Sequence, residues 1–318
     1  MALSYDQSVI QAVAILIGLI FMAMALREWG VIKESDGGLF ARLITQFTLP
    51  ALIFSALSIT SFDFDKLLLA LVMIISQLAC ALIAWVAGNL LRLSRPRKGA
   101  LILASTFTSS GFLGYAVVKE VYADNPEALS DAAIVSELGV AFLIFTLGVL
   151  IAIQYGVKET SFAEKKKEAL KFFRSPIFFS LVLGILVSFL HPVKSNMFIG
   201  TAYKFLGTIA AANTLLVCLT IGSMLYFRDF RKVLPIVLLV IVIKLIIQPL
   251  LSHFQAGIFE LSQIEHQIVV LEAAMPTAAL TAVFARRYGC DAELTSILVF
   301  ATFITSILTI IMMVFLLG

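Results

Sequence analysis

Ten long apolar segments constrain this chain more than any other feature of its sequence. Most have the ~20 residues that a helix needs to cross a bilayer, although the sixth is shorter. Backbone polar groups inside a membrane must be paired within the protein, which favours helices. With 61% hydrophobic and 14% charged residues, the sequence predicts an all-α polytopic membrane protein. The segments cover residues 7–26, 39–60, 67–91, 99–121, 132–156, 176–190, 205–226, 234–252, 267–287 and 292–317.

The distribution of basic residues predicts the orientation of these helices. Lys and Arg are concentrated in the loops after the first, third, fifth, seventh and ninth segments. Cytoplasmic loops carry such an excess of basic residues. We therefore expect a multi-pass protein of the cytoplasmic (inner) membrane with both termini on the extracytoplasmic side. The longest basic loop, residues 157–175, is then a cytoplasmic connector on the membrane surface.

This connector separates two halves of five segments each, residues 1–156 and 176–318. An odd number of helices per half places the two halves in opposite orientations, as in an inverted repeat. The fourth segment of the first half is interrupted by the polar stretch STFTSSGFLGYAV, and that of the second half by Pro276. We therefore predict ten transmembrane helices in two inverted repeats, with the fourth and ninth helices broken.

The ninth segment contains the clearest candidate for a functional residue. Proline removes a helical N–H and clashes with the preceding turn, and Glu272 lies four residues before Pro276. A carboxylate at membrane depth is costly and by default marks a functional site. Secondary transporters build substrate and ion sites from such breaks. Glu272 could bind sodium, carry a proton, or form a structural ion pair with a buried base.

Other candidates surround the break or lie within other segments. Met275 and Thr277 flank Pro276 and could coordinate an ion through carbonyl or hydroxyl oxygens. Lys244 lies too deep in the eighth segment to reach the surface fully, so it either pairs with an acid or provides positive charge for an organic anion. Glu137 is either an interfacial carboxylate or part of the site.

Two amides and two glycines complete the set of candidates. Gln77 and Asn213 could line the site, or they could only form the hydrogen bonds between helices that are common in membranes. Gly111 and Gly114 either permit the break in the fourth helix or allow helices to pack closely.

These motifs resemble, in their order and spacing, those of the auxin efflux carrier family of permeases, which includes plant PIN-type carriers and bacterial malonate transporters. The matching stretches are LPALIFSALS (49–58), SSGFLG (109–114), KLIIQPL (244–250) and AAMPTAALTAVFARRYGCD (273–291). Ser109 replaces the Asn that is usual in the family, and Ala116 replaces its usual Pro.

The resemblance implies the fold of bile-acid sodium symporters, in which broken helices four and nine cross at the substrate site. It implies a panel (scaffold) domain of helices 1, 2, 6 and 7 and a core (transport) domain of helices 3–5 and 8–10. In those symporters a Glu at the position of Glu272 helps to bind sodium, and Ser109, Ser110 and Ser136 are the nearest equivalents of its other ligands. A homodimer through the panel domain is compatible with the resemblance.

We therefore expect a secondary active transporter of a small organic anion, a carboxylate, that works by alternating access. Symport with sodium or protons is open, and so is a bile-acid-like or sterol-like substrate. A membrane-embedded sensor or regulatory protein without transport is the competing class. The sequence lacks the catalytic motifs of hydrolases and metalloproteases, and we expect neither enzymatic activity, nor a cofactor other than the coupling ion, nor a nucleic-acid partner. The candidate substrate or crossover residues are Ser109, Ser110, Gly111, Gly114, Asn213, Met275, Pro276 and Thr277; the candidate ion-coupling residues are Gln77, Ser109, Ser110, Ser136 and Glu272, with Glu137 and Lys244 as charge partners.

Overall fold

The described part of the chain is helical throughout, apart from its turns and one isolated β-bridge. A computed structural model describes residues 5–33, 35–59, 64–122, 125–157, 170, 172–190, 197–224 and 233–317. Its α-helices are α1 (Tyr5–Glu28), α2 (Asp36–Leu43), α3 (Leu49–Leu57), α4 (Leu67–Leu90), α5 (Arg95–Thr106), α6 (Tyr115–Val121), α7 (Pro126–Ile134), α8 (Val149–Tyr155), α9 (Pro176–Phe189), α10 (Met197–Ala211), α11 (Asn213–Met224), α12 (Leu234–Ile241), α13 (Gln248–Ile258), α14 (Gln263–Ala274), α15 (Leu280–Tyr288) and α16 (Ala292–Leu317).

Seven helical segments among the described residues are long and apolar enough to cross a membrane. They coincide with the predicted first, second, third, fifth, seventh, eighth and tenth segments. The predicted fourth and ninth segments are each divided into two shorter helices, and the sixth is the 14-residue helix α9. A polytopic membrane protein is thereby confirmed, whereas the count of ten helices and the inverted repeat stay predictions.

The seventh segment begins at Met197 rather than at residue 205, because helical structure extends through a less apolar stretch. Most of the connector predicted at residues 157–175, namely 158–169 and 171, lies outside the described residues.

Wide π-helical turns interrupt several of the long helices. They occupy Ile44–Thr48, Ser110–Gly114, Val135–Ala141, Ile144–Gly148 and Val242–Ile247. Single π turns inside α-helices occur frequently at functional sites. The turns Ser110–Gly114, Val135–Ala141 and Val242–Ile247 contain the candidate residues Ser110, Glu137 and Lys244, respectively.

The helices belong to two compact units. The first unit comprises residues 1–66, 115–133 and 173–226, and the second comprises residues 67–114, 134–172 and 227–318. The division into a panel domain and a core domain that the resemblance implies stays a prediction.

Small residues bring the helices of the first unit close together. A Cβ atom on Gly222 of α11 would lie 2.5 Å from the Cβ of Ala23 and 2.7 Å from the carbonyl oxygen of Ile20, both in α1. In the same way, a Cβ atom on Gly184 of α9 would lie 2.9 Å from the Cβ of Leu57 in α3. Small residues at helix interfaces allow this approach in membrane proteins, where van der Waals packing stabilises helix association.

An ion pair and a hydroxyl pair add polar contacts within the first unit. The Nζ of Lys66 lies 2.6 Å from the Oδ1 of Asp131, whose side chain is only 4% exposed. The Tyr203 hydroxyl donates to the Oγ of Ser58 at 2.9 Å. The ion pair links the segment before α4 to α7.

The second unit is built on an apolar core to which one helix beside each break contributes, α5 before the break in the fourth predicted segment and α15 after the break in the ninth. Buried residues from α5, α8, α12, α15 and α16 form this core, including Leu103, Ala152, Val240, Phe284 and Leu298. Burial of apolar surface contributes roughly 25 cal/mol per Å² in water, but between helices in lipid the stabilisation comes from close packing. Helices α5 and α15, one beside each break, are therefore held in place by their neighbours.

We predict that Gly222→Ala destabilises the first unit, because the added methyl group must move α1 away from α11. Overpacking of this kind costs typically ~1–3 kcal/mol. The melting temperature of the purified protein in detergent measures the effect. Gly207→Ala in α10 is the matched control, since nothing lies within 4 Å of the position of its added Cβ atom. Equal melting temperatures of the two variants would contradict the close packing at Gly222.

Candidate functional site

The two broken helices meet at their breaks within the second unit. Helix α5 ends at Thr106 and helix α14 ends at Ala274, and the backbone after each is extended. In these extended segments Thr108 and Thr277 form an antiparallel β-bridge. Proline and the extended residue before it explain the break after α14.

Backbone hydrogen bonds join the two extended segments. The N–H of Ser109 donates to the carbonyl of Pro276 at 2.7 Å, and the N–H of Ala278 donates to the carbonyl of Phe107 at 2.9 Å. These bonds satisfy backbone groups that a break would otherwise leave unpaired in the membrane. Ser109 and Pro276 therefore contribute to the junction through their backbones.

The two bridging threonines also use their hydroxyl groups to bind the other broken helix. The Thr108 hydroxyl donates to the carbonyl of Glu272 at 2.9 Å and lies 3.3 Å from that of Met275. The Thr277 hydroxyl donates to the carbonyl of Ala104 at 2.6 Å. Carbonyls at a helix end lack helical partners, so each threonine caps the helix that precedes the opposite break. Thr108 is absent from the residues predicted from sequence.

Glu272 lies in the last turn of α14 and is completely buried. Neither of its carboxylate oxygens accepts a hydrogen bond from any residue that the structure describes. An ionised carboxylate in this position carries a desolvation penalty of several kcal/mol unless a positive charge compensates it. The site is therefore suited to a cation or a proton.

Gly114 provides the space that the Glu272 side chain occupies. A Cβ atom on Gly114 would collide with both carboxylate oxygens of Glu272. The space at Gly111 is larger, since its Cβ atom would lie 3.4 Å from the Oγ of Ser136 and 4.0 Å from the Oε1 of Glu137. The polar turn Ser110–Gly114 thus packs against both acidic side chains.

This geometry corrects one interpretation of the two glycines. The helix breaks at residues 107–109, before Gly111, and both glycines lie in the π-helical turn that follows. Among the described glycines, only Gly30 and Gly289 have positive φ. The break therefore does not require glycine at these positions, and Gly114 serves close packing instead.

Three of the predicted polar residues lie close together, one in the fourth predicted segment and two in the fifth. The hydroxyl oxygens of Ser110 and Ser136 are 3.0 Å apart, and both residues are buried. Glu137 is 2% exposed, so it is a buried residue of the second unit rather than an interfacial one. Its carboxylate is within electrostatic range of Glu272.

Lys244 brings a positive charge to the end of α14. The residue is completely buried, and its Nζ donates to the carbonyl of Ala273 at 2.9 Å. The ammonium is also within electrostatic range of Glu272, although it makes no hydrogen bond to the carboxylate. Lys244 thus binds the backbone beside the acid rather than the acid itself.

The two amide candidates lie in different units. The Nε2 of Gln77 donates to the carbonyls of Met73 and Gly139, at 3.2 and 3.1 Å, and its Oε1 has no hydrogen-bond partner among the described residues. Asn213 belongs to the first unit, where its Oδ1 accepts a hydrogen bond from Thr48 at 2.8 Å. A part for Asn213 in the substrate site stays a prediction.

A second polar group, between α4 and α13, is absent from the residues predicted from sequence. Ser252 and Gln255 each place a donor 3.0 Å from the hydroxyl oxygen of Ser76. Gln248 is completely buried, and its Oε1 has no partner among the described residues. Residues 248, 252 and 255 share one helix face, so their spacing is a signal that could have identified this polar stripe.

We predict that Gly114→Ala severely disturbs the second unit, because Glu272 must leave its position to make room for the methyl group. Gly111→Ala is the matched control, with a smaller effect on the melting temperature. Since the damage in Gly114→Ala arises from a collision with Glu272, the double variant Gly114→Ala/Glu272→Ala should recover part of the loss. Residues in contact typically show coupling energies of ~0.5–3 kcal/mol. Strictly additive losses would contradict the contact.

Comparison of the sequence with known proteins places the chain in a family. The chain matches the family described as Membrane transport protein over residues 8–314. A protein of Methanothermobacter thermautotrophicus named as an uncharacterized transporter is 26% identical over 294 residues, which are 92% of this chain and 93% of the relative. A second uncharacterized transporter, from Methanocaldococcus jannaschii, is 24% identical over 303 residues, 94% of this chain and 95% of the relative. The chain therefore belongs to the membrane transport protein family, the family of the auxin efflux carriers that its sequence resembles.

Proposed function

We propose that this membrane transporter is a secondary carrier of small organic anions whose transport is coupled to one monovalent cation, sodium or a proton, at Glu272. The observation that carries the proposal is the state of this carboxylate: it is fully buried beside a helix break, and both oxygens lack a hydrogen-bond partner among the described residues. Ionisable residues inside transporters commonly lie on ion or proton pathways. The proposal makes the protein a carrier rather than an enzyme.

Both coupling ions are chemically compatible with the residues at the break. A proton would neutralise the Glu272 carboxylate directly. Sodium would bind that carboxylate, and the paired hydroxyls of Ser110 and Ser136 are the further oxygen ligands that the resemblance implies. Either ion removes the uncompensated negative charge, which is the main energetic cost of burying the acid. Binding of the cation therefore stabilises the junction of the broken helices.

Cation binding at Glu272 also prepares the site for an anionic substrate. A neutralised carboxylate no longer repels a second carboxylate, and a cation and a monoanion together carry no net charge across the membrane. Helix α15 starts after the break without a side-chain N-cap, so the positive end of its dipole favours an anion. The resemblance to carriers of auxin and malonate agrees with a carboxylate substrate.

The proposed cycle is alternating access, in which the site at the break faces each side of the membrane in turn. Transport is then driven by an ion gradient or by the gradient of the substrate itself, and uptake and efflux are the two directions of one cycle. The proposal keeps the cytoplasmic membrane as the location, with extracytoplasmic termini, and a homodimer through the panel domain.

The test is uptake of radiolabelled acetate, malonate or indole-3-acetate into liposomes that contain the purified protein. A sodium gradient, a proton gradient or neither is imposed, which separates the two coupling ions. We expect one of the gradients to drive accumulation, and we expect Glu272→Gln to lower this accumulation about tenfold or more, a loss of ~1.4 kcal/mol in coupling. Glu293→Gln, the same change at an exposed position in α16, should transport as the wild type does.

Two results would contradict the proposal. Gradient-driven accumulation that is equal in Glu272→Gln and in the wild type would exclude Glu272 as the coupling residue. Binding of a carboxylate without uptake or exchange under any gradient would favour a membrane-embedded sensor.

A further inference from the structure

The carboxyl end of helix α14 concentrates negative charge at the centre of the second unit. The last four carbonyls of a helix have no helical partners, and the helix dipole places about half a negative charge at this end. Glu272 adds its carboxylate in the same turn. The end of α14 therefore attracts positive charge from two sources, the backbone and a side chain.

Two of the carbonyls at this end already have donors. The carbonyl of Glu272 accepts hydrogen bonds from the Thr108 hydroxyl, at 2.9 Å, and from the N–H of Met275, at 3.3 Å. The carbonyl of Ala273 accepts from the Nζ of Lys244, at 2.9 Å. Of these donors only the ammonium carries a charge. The oxygens of the Glu272 side chain, in contrast, accept no hydrogen bond from a described residue.

The setting of Lys244 is specialised for this contact. The residue lies in the π-helical turn Val242–Ile247 and is completely buried. Among the described residues, the titratable groups within its electrostatic range include the carboxylate of Glu272 and the thiol of Cys80, which is also buried. A buried ammonium without compensation is costly, and the negative end of α14 beside Glu272 stabilises it.

We propose that the Lys244 ammonium is a resident cation at the carboxyl end of α14, in the place of a second exchangeable cation. Its ammonium satisfies the carbonyl of Ala273 and part of the demand for positive charge at this end. The site then takes one exchangeable cation, at Glu272. This inference rests on the proposed function, and it specifies the number of coupling ions in that cycle.

The consequence is a defined change in cation binding when Lys244 is neutralised. In Lys244→Met the side chain keeps a similar length, but the Ala273 carbonyl loses its donor and the site becomes more negative by one charge. The difference of one charge between Lys244→Met and the wild type does not depend on the contacts of Glu137. A sodium ion can replace the lost charge, because oxygen ligands from Glu272 and Ala273 remain at the helix end.

The experiment measures the melting temperature of purified protein as sodium chloride replaces choline chloride at constant ionic strength. A ligand that binds the folded state alone raises stability with the logarithm of its concentration, and the slope gives the number of bound ions. We expect the slope of Lys244→Met to exceed that of the wild type by one sodium ion, whether the wild type binds sodium or only a proton. Lys244→Arg keeps the charge and should keep the wild-type slope.

Each outcome of this experiment supports or contradicts the inference. A folded Lys244→Met with the wild-type slope would overturn the inference. If Lys244→Met folds in neither salt, the double variant Lys244→Met/Glu272→Gln decides, because it restores the charge balance. Recovery of folding would support the inference, and failure to recover would show that Lys244 acts through packing. If the wild type shows no coupled transport, the proposed function is refuted. If the melting temperature of Lys244→Met depends on sodium as that of the wild type does, only the number of cations is refuted.

Discussion

A helix can break inside a membrane only where the protein itself provides partners for the freed backbone groups. The junction at Thr108 and Thr277 meets this requirement by pairing the two broken helices with each other. Backbone bonds join the extended segments, and each threonine hydroxyl caps the helix before the opposite break. Each break therefore depends on the other, and both depend on the packing of the second unit around them.

The same junction explains why an acidic side chain is retained in so apolar a protein. Ending α14 in the membrane creates a negative helix end, and Glu272 adds a carboxylate whose oxygens have no hydrogen-bond partner among the described residues. Lys244 compensates the backbone part of this charge from a neighbouring helix. In the proposed function, the part that remains is what an exchangeable ion would satisfy.

The sequence predicted those features of the fold that depend on local interactions. The length of apolar segments predicted the positions of seven spans, and the chemistry of Pro276 predicted a break beside Glu272. Contacts between residues that are distant in the sequence were harder to predict. The bridge from Thr108 to Thr277, the bond from Lys244 to Ala273 and the fit of Gly114 against Glu272 all depend on which helices become neighbours. For this reason the glycines were open to a conformational explanation, although Gly114 serves close packing.

Direct measurement of cation binding at Glu272 tests the central claim. Detergent-solubilised protein is supplied with a transported carboxylate, while radioactive sodium reports sodium binding and a pH indicator reports proton uptake. We expect the wild type to take up one cation of a single kind per protein and Glu272→Gln to take up none. Uptake of the same cation by both proteins, in equal amounts, would show that the charge at the helix break is not the site of coupling.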